Sequence, residues 1–208
     1  RGHGDTPRPE GEIDWQRYGD DAEALAAWLA EREGGPIDAF GHSMGGACLL
    51  MAADRRPELF RRIVAFEPIV FPPVPRGEPS DNPMVHGALR RRATFHSFDE
   101  AIENYSVKAP LRMFNPEALA AYVNHGFREG TDGKVHLKCT RDTEAGTFAS
   151  GATHTTWARL PEITTDVVVI CGRVEQMQAS SIAAGIAERL PNCRFLQRHD
   201  FDHFAPMT

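Results

Sequence analysis

The sequence feature that most constrains the fold is the pentapeptide GHSMG at residues 41–45, which stands between a predicted strand and a predicted helix. The apolar run PIDAF precedes it, and ACLLMAADRRPELF follows it as a helix that Pro57 interrupts. RRIVAFEPIV, at residues 61–70, then predicts a second strand that is buried on both faces. A strand, a tight turn, a helix and a second strand in this order predict a parallel β-sheet.

The rest of the chain adds further helices and a second pair of strands. Residues 20–33 place apolar side chains at helical spacing and end at two glycines. A proline-rich stretch after Phe71 leads into helix-like segments, with no strand alternation before residue 165. TTDVVVICG is then the strongest strand signal, ahead of a helix and a last strand, CRFLQRH. We therefore predict an α/β fold with a mostly parallel sheet flanked by helices, in three segments: core residues 1–70, a helical lid insertion at 71–162 and core residues 163–208.

Composition and charge narrow the class of partner. The chain has 208 residues, of which 25% are charged and 41% hydrophobic, and a net charge of −6, which is typical of soluble globular proteins. The basic residues are scattered, and the cluster Arg90, Arg91 and Arg92 is typical of a solvated helix face. No apolar run approaches the ~18 residues of a membrane span. We therefore expect neither a nucleic acid nor a membrane as partner.

The cysteines argue against a metal site. Cys48, Cys139, Cys171 and Cys193 include no C-x-x-C pair and no spacing typical of zinc ligands. We interpret them as small buried hydrophobic side chains in a reducing compartment, and we predict the cytoplasm. We expect no metal and no cofactor, and a small-molecule substrate is the predicted partner. The sequence leaves the oligomeric state open.

The GHSMG turn suits a nucleophilic serine. G-x-S-x-G between a strand and a helix holds the Ser43 hydroxyl on a sharp, strained turn, and the small flanking residues let neighbouring backbone approach. The helix that follows directs free N–H groups toward a developing oxyanion, and we expect the Met44 N–H to be one donor. A phosphate-binding loop would need a Lys followed by Ser or Thr where Ala47 and Cys48 stand. We expect His42 to be structural, with its side chain directed away from Ser43.

Five segments together make the chain resemble the α/β-hydrolase fold family. RGHGDTPRP is similar to the loop after the family's fourth strand, GHSMGG to its nucleophile elbow, and FEPIVFPP to the exit from its sixth strand into a lid. VVVICGRVE is similar to the seventh strand with its acid-bearing loop, and FDHFAPM to the loop that carries the catalytic histidine. Each segment is a weak signal alone, whereas their order and spacing are specific.

The resemblance implies a catalytic triad in the chain order Ser, acid, His. Ser43 needs a hydrogen-bonded base, and His203, in the loop after the last predicted strand, is the predicted one. The favoured acid is Glu175, three residues beyond Gly172 at the end of the seventh strand. Its main rival is Glu67, because some relatives take the acid from the loop after the sixth strand. Asp200 and Asp202 are close to His203 in sequence, which disfavours both, and Asp202 stands where the family usually has Gly.

These residues predict a serine hydrolase that forms an acyl-enzyme on a small, mostly apolar ester or related acyl substrate. The resemblance also allows hydrolysis of carbon–carbon bonds and cofactor-free perhydrolysis. An alternative from another class is a non-catalytic protein that keeps the fold and binds a small ligand. We expect the aromatic residues of the insertion to form mainly its own small core, and His125 and His154 to be solvated.

The length is short for the family. The family's first three strands have no counterpart in the sequence, so the second oxyanion-hole donor cannot be named. The predicted sheet would expose a long hydrophobic edge, which isolated soluble proteins avoid. We therefore expect the 208 residues to be a fragment of a hydrolase of about 270 to 300 residues.

Overall fold

The computed structural model describes residues 1–8, 10–73, 82–175 and 178–208. In chain order its helices and strands are α1 (Trp15–Glu33), β1 (Ile37–His42), α2 (Met44–Arg55), β2 (Phe60–Phe66), α3 (Pro83–Arg90), β3 (Thr94–Phe95), α4 (Phe98–Ser106), α5 (Pro116–Gly126), β4 (Phe127–Glu129), β5 (Val135–Leu137), α6 (Arg141–Ser150), α7 (Thr156–Arg159), β6 (Asp166–Cys171), α8 (Ser180–Arg189) and β7 (Cys193–Gln197). Most of the predicted proline-rich excursion, residues 74–81, lies outside the described residues.

The chain divides into two compact units. The sheet unit comprises the described parts of residues 14–75 and 151–205, and the insertion unit comprises the described parts of residues 1–13, 76–150 and 206–208. The expected insertion, 71–162, differs from this division at its C-terminal side. Residues 151–162 belong with the sheet because α7 packs on α2, and Leu160 in the turn after α7 is fully buried.

The sheet unit contains four parallel strands in the order β1-β2-β6-β7, which confirms the predicted α/β class. Crossover helices make this possible, because parallel neighbours cannot be joined by a tight hairpin. Helix α2 connects β1 to β2, and α8 connects β6 to β7. In the paired register His42 lies opposite Phe66, and Phe66 lies opposite Ile170. The carboxyl ends of β1, β2 and β6 therefore meet at one edge of the sheet.

Local signals determine where the first two helices begin and end. The Asp14 side chain accepts a hydrogen bond from the Gln16 N–H at 2.9 Å and caps α1, which therefore begins five residues before the predicted helix at 20–33. Gly34 ends α1 in the left-handed conformation with φ of 72°. Helix α2 ends at Arg55, as expected from the proline at position 57.

The insertion unit has a core of its own, as predicted. Helix α3 packs against α6, and α4 packs against α5. The buried core residues are Phe95, Ala101, Tyr105, Leu111, Leu119, Val123, Phe127 and Val135. This unit also contains a three-stranded antiparallel sheet in the order β3-β5-β4. The sequence shows no strand alternation in this part of the chain, because strands of two or three residues are too short to produce it.

The three arginines of the cluster differ in their surroundings, and only Arg90, the exposed last residue of α3, lies on a solvated helix face. Arg91 lies just beyond the end of α3, where its guanidinium pairs with Glu144 at 2.9 Å and donates to the Tyr122 hydroxyl at 3.0 Å. The Arg92 guanidinium lies 4.2 Å from the centroid of the buried Phe95 ring. Arg91 is thus half-buried in the packing of the insertion unit, whereas Arg92 is exposed and lies over the Phe95 ring.

Candidate active site

Ser43 occupies a strained turn between β1 and α2. Its φ of 54° lies in a region that residues with a side chain rarely adopt. A Cβ atom on Gly41 would lie 2.7 Å from the Gly45 backbone, and one on Gly46 would lie 2.9 Å from the Pro68 Cβ. Gly41 and Gly46 are therefore required for the backbone to close around Ser43, whereas a Cβ on Gly45, the second glycine of the G-x-S-x-G pattern, would meet nothing within 4 Å.

The N-terminus of α2 supplies hydrogen-bond donors beside Ser43. Met44 is the first residue of the helix, and the first N–H groups of an α-helix have no carbonyl partner within the helix. The positive end of the helix dipole adds to their attraction for an anion. The Ser43 N–H itself is used by the sheet, since it donates to the Phe66 carbonyl at 2.9 Å. Met44 therefore lies where the sequence predicts an oxyanion donor.

His203 and Glu67 complete a hydrogen-bonded chain that begins at Ser43. The Ser43 Oγ lies 3.2 Å from His203 Nε2, and His203 Nδ1 lies 2.7 Å from Glu67 Oε2. A carboxylate only accepts hydrogen bonds, so Nδ1 carries the proton toward Glu67 and Nε2 is free to accept from the serine hydroxyl. Glu67 is 1% exposed. Its φ of 44° turns the backbone out of β2, the second strained position among these three residues.

The second carboxylate oxygen of Glu67 joins two loops. Glu67 Oε1 accepts a hydrogen bond from the Gly172 N–H at 2.8 Å. A Cβ on Gly172 would lie 2.4 Å from the Phe201 carbonyl oxygen, and the next N–H, that of Arg173, donates to the same oxygen at 2.8 Å. The loop after β6 is therefore packed directly on the loop that carries His203, and Glu67 is held from both sides.

Glu175, the acid that the sequence favours, does not contact His203, and its rival Glu67 does. Glu175 pairs with Arg173 at 3.1 Å, and its side chain is 51% exposed. The backbone N–H of Glu175 donates a hydrogen bond to the Ser180 hydroxyl at 3.0 Å. The preference for Glu175 as the partner of His203 is therefore corrected to Glu67. The reason is that Glu67 directly follows β2, which is next to β1 in the sheet, and its side chain contacts His203.

The two aspartates near His203 have local tasks. Asp202 Oδ1 accepts from the Phe204 N–H at 2.8 Å and so shapes the turn around His203. Asp200 forms an ion pair with Arg198, which lowers the pKa of that carboxyl below its usual range. Neither aspartate therefore takes the place of Glu67, in agreement with the argument from sequence distance.

His42 contacts the loop of His203. Its Nε2 lies 2.7 Å from the His203 carbonyl oxygen, and the two imidazole rings are 4.7 Å apart. Burial, and next the neighbouring His203, lower the pKa of His42. The sequence predicts a structural His42 whose side chain is directed away from Ser43, and sequence reasoning missed that this side chain contacts His203.

His154 differs from its expected solvated position. It is buried in the sheet unit, stacked on Trp15 with ring centroids 5.3 Å apart, and its Nδ1 lies 2.9 Å from the Thr156 hydroxyl. Burial lowers its pKa. This histidine is therefore a packing residue of the sheet unit and not a surface residue of the insertion.

Within residues 1–8, 10–73, 82–175 and 178–208, no group of three or more His, Cys, Asp or Glu side chains is arranged to hold a metal ion. In the same described parts of the chain, no helix combines the length and apolar character needed to cross a lipid bilayer.

Comparison with protein-family models found a match to the alpha/beta hydrolase family over residues 1–205. A comparison with curated proteins found no match. Among solved structures, the chain is similar to E-2-(acetamidomethylene)succinate hydrolase, with 22% identity and a TM-score of 0.79, over 100% of this chain and 73% of that chain.

Two further solved structures show the same similarity. One is the peroxisomal alpha-beta-hydrolase Lpx1 from Saccharomyces cerevisiae, with 16% identity and a TM-score of 0.81, over 99% of this chain and 60% of that chain. The other is a thermophilic esterase from Thermogutta terrifontis, with 18% identity and a TM-score of 0.66, over 100% of this chain and 71% of that chain. At these identities the similarity shows the fold alone.

Proposed function

The chain belongs to the alpha/beta hydrolase family, and on that premise we propose that it is a serine hydrolase acting on a small, mostly apolar ester or related acyl substrate. In this proposal Ser43 is the nucleophile, His203 the general base and Glu67 the acid that orients it. The Met44 N–H is one oxyanion donor. No metal or cofactor takes part in the proposed reaction.

The observation that carries this proposal is the continuous hydrogen-bonded chain from Ser43 Oγ through His203 to Glu67, with contacts of 3.2 and 2.7 Å. A nucleophile, a base and an orienting carboxylate in this order activate a serine hydroxyl at neutral pH. The strained φ of Ser43 adds support, because such backbone strain concentrates at functional sites.

The proposed reaction proceeds in two halves. His203 Nε2 takes the hydroxyl proton while Ser43 Oγ attacks the substrate carbonyl carbon, and the carbonyl oxygen becomes an oxyanion that accepts from the Met44 N–H. The imidazolium then gives its proton to the leaving alcohol, and the acyl group remains on Ser43. In the second half His203 takes a proton from water, the resulting hydroxide attacks the acyl carbon, and Ser43 recovers its proton from the imidazolium.

The substrate class rests on fold-level analogy and on the resemblance of the sequence. One structurally similar protein is an esterase, and another is a hydrolase named for E-2-(acetamidomethylene)succinate. Esters and the acetamido group in that name both contain a carbonyl carbon, the kind of atom that a serine nucleophile attacks. Carbon–carbon bond hydrolysis and perhydrolysis would use the same three side chains with a different leaving group or a peroxide in place of water. We propose the cytoplasm as the site of action, and the four cysteines, all free thiols, support it.

Two sequence features motivated the alternative of a non-catalytic, ligand-binding protein. It rested on the unusual acid loop around Glu175 and on the aspartate that precedes His203. Glu67 contacts His203 directly, and Asp202 accepts a hydrogen bond from its own loop. Neither feature therefore favours a binding protein over an enzyme.

A fluorophosphonate probe tests the proposal, because it reacts covalently with activated serines. We expect the wild type to incorporate one probe at Ser43 and to hydrolyse short p-nitrophenyl esters, and Ser43→Ala to do neither. Ser106→Ala is the matched control, since that exposed hydroxyl only donates to the Glu103 carbonyl at 2.8 Å. Equal labelling of Ser43→Ala and the wild type, or an unlabelled wild type, would contradict the proposal.

A further inference from the structure

The side chain of His42 connects the strand that precedes Ser43 to the loop that carries His203. We propose that His42 is a positioning residue that holds the His203 backbone so that its imidazole spans the distance between Ser43 and Glu67. This inference rests on the proposed function. It deepens that function by adding a fourth side chain, one that touches neither the substrate nor the reacting atoms.

The geometry assigns the proton on His42. The His203 carbonyl can only accept a hydrogen bond, so the His42 Nε2 at 2.7 Å carries the proton and donates it. The donor is itself held in place by the sheet, because His42 is the last residue of β1 and lies opposite Phe66 in the paired register. The His42 ring also lies 5.8 Å from the Phe66 ring. The N–H of His42 is therefore a fixed point relative to the sheet.

The hydrogen bond from His42 is made at the backbone of His203 itself. The bond from the Arg173 N–H reaches the Phe201 carbonyl, two residues before the base. The bonds around Asp202, from the Phe204 and Ala205 N–H groups, stay within the loop. At His203 itself, the His42 donor contacts the backbone while Glu67 contacts the ring. These two bonds control the translation and the rotation of the imidazole.

The position of His42 in sequence makes this link specific. His42 immediately precedes Ser43, so the proposed nucleophile and the residue that holds the His203 backbone lie at the same end of β1. A shift of about 1 Å between a nucleophile and its base is enough to reduce a rate about a hundredfold. The titratable groups that face His42 are His203 and Glu67, and burial lowers the pKa of His42. A positive charge on His203 disfavours a second positive charge on His42.

The test compares three variants of the protein. His42→Gln places an amide N–H near the position of Nε2, whereas His42→Phe keeps a ring and removes the donor. His199→Phe is the matched control, because His199 is exposed and lies four residues before His203. We expect His42→Phe to lower kcat for p-nitrophenyl esters at least about tenfold with little change in KM. We expect His42→Gln to recover most of that loss and His199→Phe to match the wild type.

A second readout does not depend on turnover. In wild-type protein with ¹⁵N-labelled histidine, the His203 Nδ1 proton should give a low-field NMR resonance that Glu67→Gln removes. We expect His42→Phe to shift or broaden this resonance and His42→Gln to leave it near its wild-type position. If wild-type protein shows no esterase activity or labelling, the proposed function fails, and the resonance still decides the role of His42. A His42→Phe variant with wild-type kcat and an unchanged resonance overturns the inference, as does a loss of kcat that only follows the folded fraction.

Discussion

Glu67 and His203, which are 136 residues apart in the chain, are joined by a hydrogen bond of 2.7 Å between Oε2 and Nδ1. Glu67 is fully buried at the end of β2, and its second oxygen accepts from the Gly172 N–H at the end of β6. The carboxylate therefore connects two neighbouring strand ends to the loop of the base. Four predictions follow from this arrangement and from contacts that lie within one unit or the other.

The first prediction separates the two candidate acids. Glu67→Gln keeps the shape of the side chain but offers His203 an amide, so the imidazole loses the partner that fixes its tautomer and stabilises its charge. We expect kcat for p-nitrophenyl esters to fall by about a hundredfold to ten-thousandfold. Glu175→Gln removes only an exposed ion pair with Arg173, and we expect kcat to stay within about twofold of the wild type.

Steady-state kinetics and thermal unfolding of both variants check this assignment. The unfolding midpoint shows whether each variant is folded when kcat is measured. A large loss of kcat in folded Glu175→Gln, together with a nearly active Glu67→Gln, would identify Glu175 as the acid that orients His203.

The second prediction concerns the close approach of the two loops. In Gly172→Ala the new Cβ would lie 2.4 Å from the Phe201 carbonyl oxygen, so the loop that carries His203 must move away from Glu67. We expect kcat to fall about a hundredfold or more, and the free energy of unfolding to fall by about 1 to 3 kcal/mol. Gly35→Ala is the control, because a Cβ there meets nothing within 4 Å. Equal kcat and stability in the two variants would show that the loops adapt at no cost.

The third prediction compares a partly buried ion pair with an exposed one. Arg91 and Glu144 are 28% and 14% exposed, and their charged atoms are 2.9 Å apart. Burial raises the pKa of the Glu144 carboxyl, and Arg91 opposes that shift. Arg91→Met leaves the carboxylate buried without its partner, so we expect a loss of about 2 kcal/mol in the free energy of unfolding near pH 8.

Arg62→Met is the matched control for this pair. Arg62 and Asp166 are 2.7 Å apart but 54% and 48% exposed, so we expect that variant to lose under about 1 kcal/mol. Urea unfolding of the two variants measures the difference. Equal losses would mean that burial does not determine the contribution of the Arg91 pair.

The fourth prediction uses the buried His154. Burial lowers its pKa below the ordinary value of 6.5, so between these two values the unfolded chain binds a proton that the folded protein does not. The stability that neutral His154 contributes is complete above pH 6.5 and is lost as the pH falls toward the lowered pKa. His154→Asn removes this dependence while keeping a polar atom near Thr156. We therefore expect the stability difference between wild type and variant to shrink as the solution is acidified.

Urea unfolding at several pH values between about 8 and 5 measures this difference. His42 has a lowered pKa as well, but it is present in both proteins and cancels in the comparison. His199→Asn, the same substitution at an exposed histidine, is the matched control for the change in side chain. A stability difference between His154→Asn and the wild type that stays constant with pH would contradict the prediction.

Much of the fold and half of the candidate site follow from local sequence. The periodicity of residues 20–33, the strand-like runs on either side of GHSMGG and the valine-rich run before Gly172 determine the α/β order, because each depends on neighbours within a few residues. Ser43 and Met44 are identified for the same reason. The strained turn and the helix N-terminus are local structures, and their glycine pattern is visible in the sequence.

The tertiary structure decided which distant groups meet. Glu67 and Glu175 both follow predicted strands, and the resemblance to the family favoured Glu175. In the structure the backbone of Glu67 turns at φ of 44° toward His203, while Glu175 pairs with Arg173. The contact between His42 and the His203 carbonyl and the burial of Arg91 also join residues that are remote in sequence. The direction of a side chain at a strand end depends on strand order, register and loop packing, and these are properties of the assembled sheet.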